Sequence, residues 1–276
     1  MRLINQASRI KVLVMIGINL STLNSQLLAE TVSNIEEVVF NYCELTPYQA
    51  NAIFAAIHTD SKIKKLDVGT HVLTDVSLES IAGAVAKLEK LMVDDTSLTD
   101  QQVNMIFSVI NTNTNMKGIL DLTDNDLSSV KPAVLAKSVI KLEVLNLSGT
   151  FLSTKQLEAI FMSMCGESKL NILMLSDNNL SSVNPELLAK AITNLSNADV
   201  SNADLTPEQL TTVFEAIDQG CRLKKLNIGF NDISLVDPIL LSRVKETLSE
   251  LNAEQDSSNS QEEGENEDEL DGNLDD

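Results

Sequence analysis

The feature that most limits how this chain can fold is an internal repeat with a double period. The pattern L-x-x-L-x-L, with substitutions, starts nine times, at spacings that alternate between 25 residues and 28 or 29 residues. The starts are Ile10, Ile35, Ile63, Leu88, Lys117, Leu142, Leu170, Leu195 and Leu223. A repeat of this length is one structural unit that cannot bury its apolar face alone, so neighbouring units must stack.

Each unit is predicted to hold a strand followed by a helix. In the long units a Ser or Thr is followed three residues later by Gln, which is the pattern of a helix-capping box. The four pairs are Thr46 and Gln49, Thr99 and Gln102, Ser153 and Gln156, and Thr206 and Gln209. In the short units a Pro stands where a helix can begin without losing a hydrogen bond. The three are Pro132, Pro185 and Pro238.

Strands that are joined by helices run parallel to one another. The fold class is therefore predicted to be α/β, a solenoid with one parallel sheet on its concave face and helices on its convex face. A Phe lies nineteen residues into each long unit, and aromatic residues at helical spacing usually belong to a core. The four that are predicted to stack in a buried column are Phe54, Phe107, Phe161 and Phe214.

The residue eight places into each unit follows a known family pattern. The short units carry Ile18, His71, Asn125, Asn178 and Asn231 there, and the long units carry Cys43, Thr96, Thr150 and Ala203. Over residues 10–250 this alternation resembles the ribonuclease-inhibitor-like class of leucine-rich repeats. The resemblance implies a horseshoe-shaped solenoid in which the Asn side chains bond the turning backbone. It also implies protein partners, as for ribonuclease inhibitors and the sensing region of NOD-like receptors. Because Ile18 and His71 replace Asn, looser turns are expected in the first two short units.

Composition divides the chain into three parts. Residues 1–9 are an N-terminal extension, residues 10–251 are the repeat domain of about nine units, and residues 252–276 are an acidic tail. The tail holds 11 acidic and no basic residues and has few apolar side chains to bury, so it is predicted to be disordered. The rest of the chain holds 29 acidic and 20 basic residues. Because a polyanion would be repelled, neither direct binding of nucleic acid nor binding to a membrane surface is expected.

The two ends of a repeat array need a polar covering for solubility. Residues 244–254 are predicted to form a polar helix that covers the C-terminal end. At the other end the strand around Val12, Val14 and Ile16 is apolar on both faces. Three explanations are open for this strand: it pairs with another chain, including a second copy, it belongs to a longer array, or residues 1–9 cover it.

The sequence shows no motif of catalysis or metal binding. It has no G-x-x-x-x-G-K-[ST] phosphate loop, no H-E-x-x-H zinc motif and no G-x-S-x-G nucleophile elbow. A non-enzymatic protein is therefore predicted, with no cofactor, no metal ion and no nucleotide-binding module. The apolar run from Val12 to Ile18 fits the repeat and is too short to span a membrane. A cytoplasmic location is predicted, with the nucleus or delivery into a host cell as alternatives.

Candidate binding residues lie at the strand positions that point away from the helices. An apolar patch is predicted from Met92, Ile119, Val144, Ile172 and Met174. A mixed-charge zone beside it is predicted from Lys65, Asp67, Lys90, Asp94 and Asp121. Exposed apolar patches often mark binding sites, and solenoids commonly bind on the concave face. The leading hypothesis is therefore a scaffold that binds a protein partner there.

Two alternative functions rest on the layout of repeats followed by an acidic tail. One is regulation of a small GTPase, because the layout is similar to that of the Ran-type GTPase-activating proteins. No catalytic loop residue of that family can be matched in this sequence. The other is binding of basic proteins by the tail, as in the acidic nuclear leucine-rich proteins.

Overall fold

The computed structural model describes residues 10–112, 115–166 and 168–254, in which strands and helices alternate. The ten strands in these residues are β1 Val12–Ile16, β2 Glu37–Asn41, β3 Lys65–Asp67, β4 Lys90–Met92, β5 Ile119–Asp121, β6 Val144–Asn146, β7 Ile172–Met174, β8 Asn197–Asp199, β9 Lys225–Asn227 and β10 Glu250–Asn252. The helices are α1 Ser25–Asn34, α2 Pro47–Ala55, α3 Leu78–Lys87, α4 Asp100–Thr112, α5 Pro132–Val139, α6 Thr154–Met164, α7 Pro185–Thr193, α8 Pro207–Asp218 and α9 Pro238–Thr247.

The strands form one parallel sheet, in which they are ordered as they follow along the chain. Each strand pairs with the next at the same place in the repeat, as Val144 does with Ile119 and Ile172. In β3 to β9 the middle residue points towards the helices and is buried, as Leu145 is. The residues on either side of it point to the opposite face, which we call the open sheet face. The predicted parallel sheet backed by helices is confirmed.

The helices begin at the residues that carry helix-start signals. α2, α6 and α8 open with complete capping boxes, and Thr99 and Gln102 make the same two bonds at the start of α4. Pro is the first residue of α2, α5, α7, α8 and α9. Its fixed φ is already helical, and its missing N–H would have no partner at that position. Each unit therefore turns into its helix at a set distance after its strand, which keeps successive strands in register.

The core is a continuous layer of mostly aliphatic side chains between the sheet and the helices. Phe54, Phe107, Phe161 and Phe214 lie in it, one on each helix of the long units, and none is more than 2% exposed. The predicted burial of the four Phe side chains is confirmed. Because Leu, Ile and Val fill most of the remaining core, a chain with only 3% aromatic residues can still build it.

In three short units the turn that follows the strand is held by the Asn eight places into the unit. Asn178 Nδ2 donates to the carbonyl oxygen of Leu147 in the previous unit at 2.7 Å, and its Oδ1 accepts from the N–H of Leu152 at 3.1 Å. Asn125 and Asn231 make the equivalent bonds. One amide thus ties two neighbouring turns together, and it satisfies backbone groups that would otherwise be buried without partners.

His71 also joins its turn to the turn before it, through a different side chain and partly different backbone groups. Its Nδ1 lies 2.8 Å from the carbonyl oxygen of Gly69, and its Nε2 accepts from the N–H of Cys43 at 3.2 Å. The neutral ring with its proton on Nδ1 supplies one donor and one acceptor, as the Asn amide does. The expectation of a looser turn at His71 is therefore wrong. Ile18 has no such groups and is 50% exposed.

The start of the fifth unit differs from the predicted one. Lys117 is exposed, and Met116 takes the buried place that opens the unit. Gly118 accommodates the extra residue, since a Cβ there would lie only 2.8 Å from the carbonyl oxygen of Glu89. The chain can pass so close only at a residue without a side chain.

At the C-terminal end a further strand forms where a polar helix was predicted. α9 ends at Thr247, and β10 pairs with β9 in the register of the other strands. The ladder continues beyond β10, because the N–H of Phe230 donates to the carbonyl oxygen of Glu254 at 2.7 Å. The array therefore includes residues 252–254, which were assigned to the tail. Residues 255–276, with their predicted disorder, and the extension 1–9 lie outside the described residues.

Candidate functional site

Most of the predicted apolar patch lies in one row across three neighbouring strands. Ile119, Val144 and Ile172 are the first residues of β5, β6 and β7, and the register places each beside the next. All three side chains lie on the open sheet face and are half-buried. Because adjacent strands are only about 4.8 Å apart, these side chains form a continuous apolar surface.

The two methionines of the patch lie in the next row, which the third residues of the strands form. Met174 follows Ile172 on β7 and extends the apolar surface, so we call Ile119, Val144, Ile172 and Met174 the apolar strip. Met92 pairs with Asp67 on one side and with Asp121 on the other. The structure therefore places Met92 among the carboxylates of the mixed-charge zone rather than in the apolar strip.

The lysines of the mixed-charge zone begin the strands β3 and β4. Lys65 and Lys90 are paired in the register, and Lys90 is in turn the neighbour of Ile119. Lys65 Nζ lies 2.7 Å from Glu37 Oε2, and the hydrogen bond to this carboxylate raises the pKa of Lys65. Among the described residues no carboxylate lies within 4 Å of the Lys90 ammonium group. Lys90 can therefore offer an unpaired positive charge at the border of the apolar strip.

The carboxylates of the zone are partly enclosed. Asp67 is 7% exposed and accepts hydrogen bonds from Asn41 Nδ2 at 3.2 Å and from the Gly69 N–H at 3.3 Å. Burial raises the pKa of Asp67 although these hydrogen bonds act in the opposite direction. Burial also raises the pKa of Asp94, and repulsion from Asp121 and Asp67 adds to it. A positively charged group of a partner would relieve this repulsion.

Neighbouring residues fix the orientation of these carboxylates. Asp121 Oδ1 accepts from the Thr123 hydroxyl at 2.6 Å, and its Oδ2 accepts from Asn146 Nδ2 at 3.1 Å. Asp94 lies against Gly69, where a Cβ would come within 2.2 Å of Asp94 Oδ1. In the mixed-charge zone the carboxylates are thus held in fixed orientations, and the two lysines lie beside them at the first residues of β3 and β4.

A groove of about 280 Å³ lies beside the apolar strip, towards the C-terminal strands. Ile172 and Met174 form one wall of it. Its other walls include residues of β8, β9 and β10, namely Asn197, Asp199, Lys225, Asn227, Glu250 and Asn252. The sequence prediction missed these residues, because an isolated polar residue in a strand carries no signal of its own. Only the repeat register, which aligns them with Ile172 and Met174, could have pointed to them.

Within the described ranges no group of three or more His, Cys, Asp or Glu side chains is placed to hold a metal ion. The three cysteines are free thiols, with Cys43 buried and Cys165 and Cys221 half-buried. No helix in the part of the chain that the structure describes is long and apolar enough to cross a bilayer.

A comparison with known protein families adds to this geometry. Residues 169–191, which contain β7 and most of α7, match the family model described as Leucine Rich Repeat. The described residues have the fold of a leucine-rich repeat solenoid. The match covers one short unit, whose strand belongs to the continuous ladder and whose Asn turn recurs at Asn125 and Asn231.

No curated protein matches the chain. Solved structures that are similar to the solenoid include two bacterial leucine-rich repeat proteins. The leucine-rich repeat-containing protein LegL7 from Legionella pneumophila is 19% identical with a TM-score of 0.47, covering 86% of this chain and 71% of that chain. A leucine-rich repeat protein of Leptospira interrogans is 14% identical with a TM-score of 0.42, covering 90% of this chain and 79% of that chain.

Proposed function

We propose that the solenoid is a non-enzymatic scaffold that binds a protein partner on its open sheet face. The observation that carries the proposal is the apolar strip, in which four large apolar side chains lie together and stay partly exposed. Contiguous exposed apolar surface is uncommon on a soluble protein unless it is used for binding. Side chains on a sheet are also held in place by the strand ladder, so little ordering is needed when a partner binds.

The surroundings of the apolar strip support the same proposal. Lys90 lies next to Ile119 on one side, and Asn197 lies next to Ile172 on the other. An apolar centre with a polar rim is the usual anatomy of a protein interface. We expect the partner to place apolar side chains on the strip and a basic group near Asp67, because the carboxylates of the mixed-charge zone repel one another.

We infer further that the units belong to the ribonuclease-inhibitor-like class. The alternation of Asn-type and Thr- or Cys-type turns supports this, as do the helices in both unit types.

The cytoplasmic location and its alternatives remain predictions. Phosphate release from a small GTPase on addition of the chain would test the GTPase hypothesis. Salt-sensitive binding of a basic protein that is lost on removal of residues 255–276 would test the tail hypothesis.

The binding proposal predicts that charge on the apolar strip abolishes partner capture. In the double variant Val144→Lys and Ile172→Lys, two ammonium groups would have to lose water inside an apolar interface. Affinity capture with the full chain should therefore recover a partner with the wild type and at least about tenfold less of it with the double variant.

The matched control for this experiment is Met162→Lys. Met162 is 62% exposed and lies on α6, in the layer of helices. It adds the same kind of charge to an exposed apolar position, and capture should be unchanged. Equal melting curves would show that the three proteins are folded alike. Unchanged capture by the double variant, or an equal loss with Met162→Lys, would refute the proposed site.

A further inference from the structure

The strand β1 exposes a row of apolar side chains at the N-terminal end of the solenoid. At every second residue from 10 to 18 the side chain is Ile or Val, and it is 40–59% exposed. We call this row the β1 edge; its members are Ile10, Val12, Val14, Ile16 and Ile18. The equivalent row of β2 contains Glu37 and Asn41, and both are half-buried. The side chains of the β1 edge are thus more apolar and more exposed than those of the equivalent row in β2.

The backbone of β1 is hydrogen-bonded to a neighbouring strand on one side only. It is the first strand of the sheet, and the N–H of Gly17 donates to the Asn41 carbonyl oxygen of β2 at 3.0 Å. Since backbone groups alternate in direction along a strand, those of Val12, Val14 and Ile16 point away from β2. No strand among the described residues lies on that side. An uncovered apolar edge of this kind is a template for another strand.

The distribution of charge indicates that the pairing strand comes from a second copy of this chain. The chain has a net charge of −20, so two copies repel each other over most of their surfaces. Residues 10–18 hold no acidic residue and one basic residue, Lys11, whose Nζ lies 3.4 Å from Glu36 Oε1. The opposite end of the sheet presents Glu250 and then Glu254. Stacking of that end on the β1 edge would place carboxylates against apolar side chains, whereas two β1 edges match each other.

We propose that the β1 edge is the interface of a homodimer, in which the two β1 strands pair antiparallel about a twofold axis. This isologous contact hydrogen-bonds the free backbone groups of each β1 to those of the other copy, places the two apolar rows side by side and needs no second surface. Because the pairing of two strands buries less surface than the roughly 1,200 Å² of a stable interface, we expect a reversible dimer with a dissociation constant of about 1 to 100 µM. It leaves the apolar strip on β5 to β7 accessible, so it does not depend on the proposed function.

Sedimentation equilibrium of the full chain tests this dimer. Between about 1 and 100 µM the wild type should pass from monomer to dimer. The Val14→Lys variant should raise the dissociation constant at least about tenfold, because the ammonium groups of the two copies would meet across the twofold axis. The matched control Leu235→Lys changes a side chain that is 73% exposed in the ninth unit, and it should leave the dissociation constant unchanged.

Three results would overturn the dimer. If the wild type is monomeric at about 100 µM, the β1 edge is covered by residues 1–9 or by a different protein instead. The other two are a dimer that Val14→Lys does not weaken and a dimer that Leu235→Lys weakens equally. Because Val14 is 55% exposed, its variant should melt with the wild type. If it does not, Val12→Lys, at a position 51% exposed, provides the same test.

Discussion

At the scale of single residues, Asp67 couples the open sheet face to pH. Its carboxyl group is almost fully buried, and burial raises its pKa above the ordinary value of 3.8. The folded chain therefore binds a proton at Asp67 more tightly than the unfolded chain does. As a result, ionisation of Asp67 lowers the free energy of unfolding as pH rises through the raised pKa, and no such loss exists at lower pH.

This coupling predicts the pH dependence of an Asp67→Asn variant. Asn is neutral at every pH, so the variant avoids the loss that accompanies ionisation. The free energy of unfolding of the variant, relative to the wild type, should rise between about pH 3 and pH 7. Urea unfolding at the two pH values measures this difference directly.

Asp126→Asn provides a control of opposite sign. Hydrogen bonds from the hydroxyl and the N–H of Ser128 lower the pKa of Asp126, so its ionised form stabilises the fold. The stability of this variant relative to the wild type should therefore fall over the same pH range. The same sign of change in both variants would contradict the account of Asp67.

Single residues also show where sequence reasoning stops. Position eight of the unit predicted which Asn residues hold the turns, because Asn recurs there in three successive short units. It failed at His71, since the equivalence of an imidazole and an amide depends on where the two ring nitrogens lie in three dimensions. The sequence also placed Met92 wrongly, in the apolar patch, because its neighbours Asp67 and Asp121 are known only from the strand pairing.

At the scale of elements, the buried Gln of each capping box joins one unit to the unit before it. Gln102 Oε1 accepts from the Thr99 N–H at 2.8 Å, and Gln102 Nε2 donates to the carbonyl oxygens of Leu73 and Val76, both at 2.8 Å. The same bonds are made by Gln49, Gln156 and Gln209. The capping pattern predicted the local bond only, because it contains no information on which turn lies next to the helix.

Removal of one such Gln should weaken the solenoid between two units. Gln102→Leu removes the side-chain donor of the buried Val76 carbonyl oxygen, leaves the Leu73 carbonyl oxygen with the Val76 N–H as its donor, and removes one bond of the cap. We expect the free energy of unfolding to fall by about 2 to 4 kcal/mol. The neighbouring Gln101 is exposed on the same helix, so Gln101→Leu should stay within about 0.5 kcal/mol of the wild type. Urea unfolding of both variants measures the difference, and equal effects would show that the buried amide does not couple the units.

At the scale of the whole molecule, the repeat period predicted most of the fold. Each of the nine starts in the sequence corresponds to a strand, and the Pro and Gln signals locate the helices that follow. The tenth strand was missed because its unit is incomplete. Leu248 and Leu251 are the apolar residues that mark it, and no helix signal follows in the sequence. β10 forms because the edge of β9 offers backbone partners to it. A local sequence pattern does not show such a tertiary contact.

The sequence predicted those parts of the candidate site that follow from the register of the strands. Alternation along the strands predicted that Ile119, Val144 and Ile172 share one face, and the structure places them side by side. The groove beside them could not be predicted, because its walls come from three strands whose polar residues are unremarkable one by one. A solenoid thus fixes the position of a surface from its sequence, while the shape of that surface depends on how the units stack.

The most direct test of the central claim, that the open sheet face binds the partner, is site-specific photo-cross-linking of the full chain in the cells that produce it. A photoreactive residue at Val144 lies in the apolar strip, and one at Met162 lies on the helix layer of the same unit. We expect a covalent adduct with a partner protein from position 144 and none from position 162. Adducts from position 162 with none from position 144 would contradict the account.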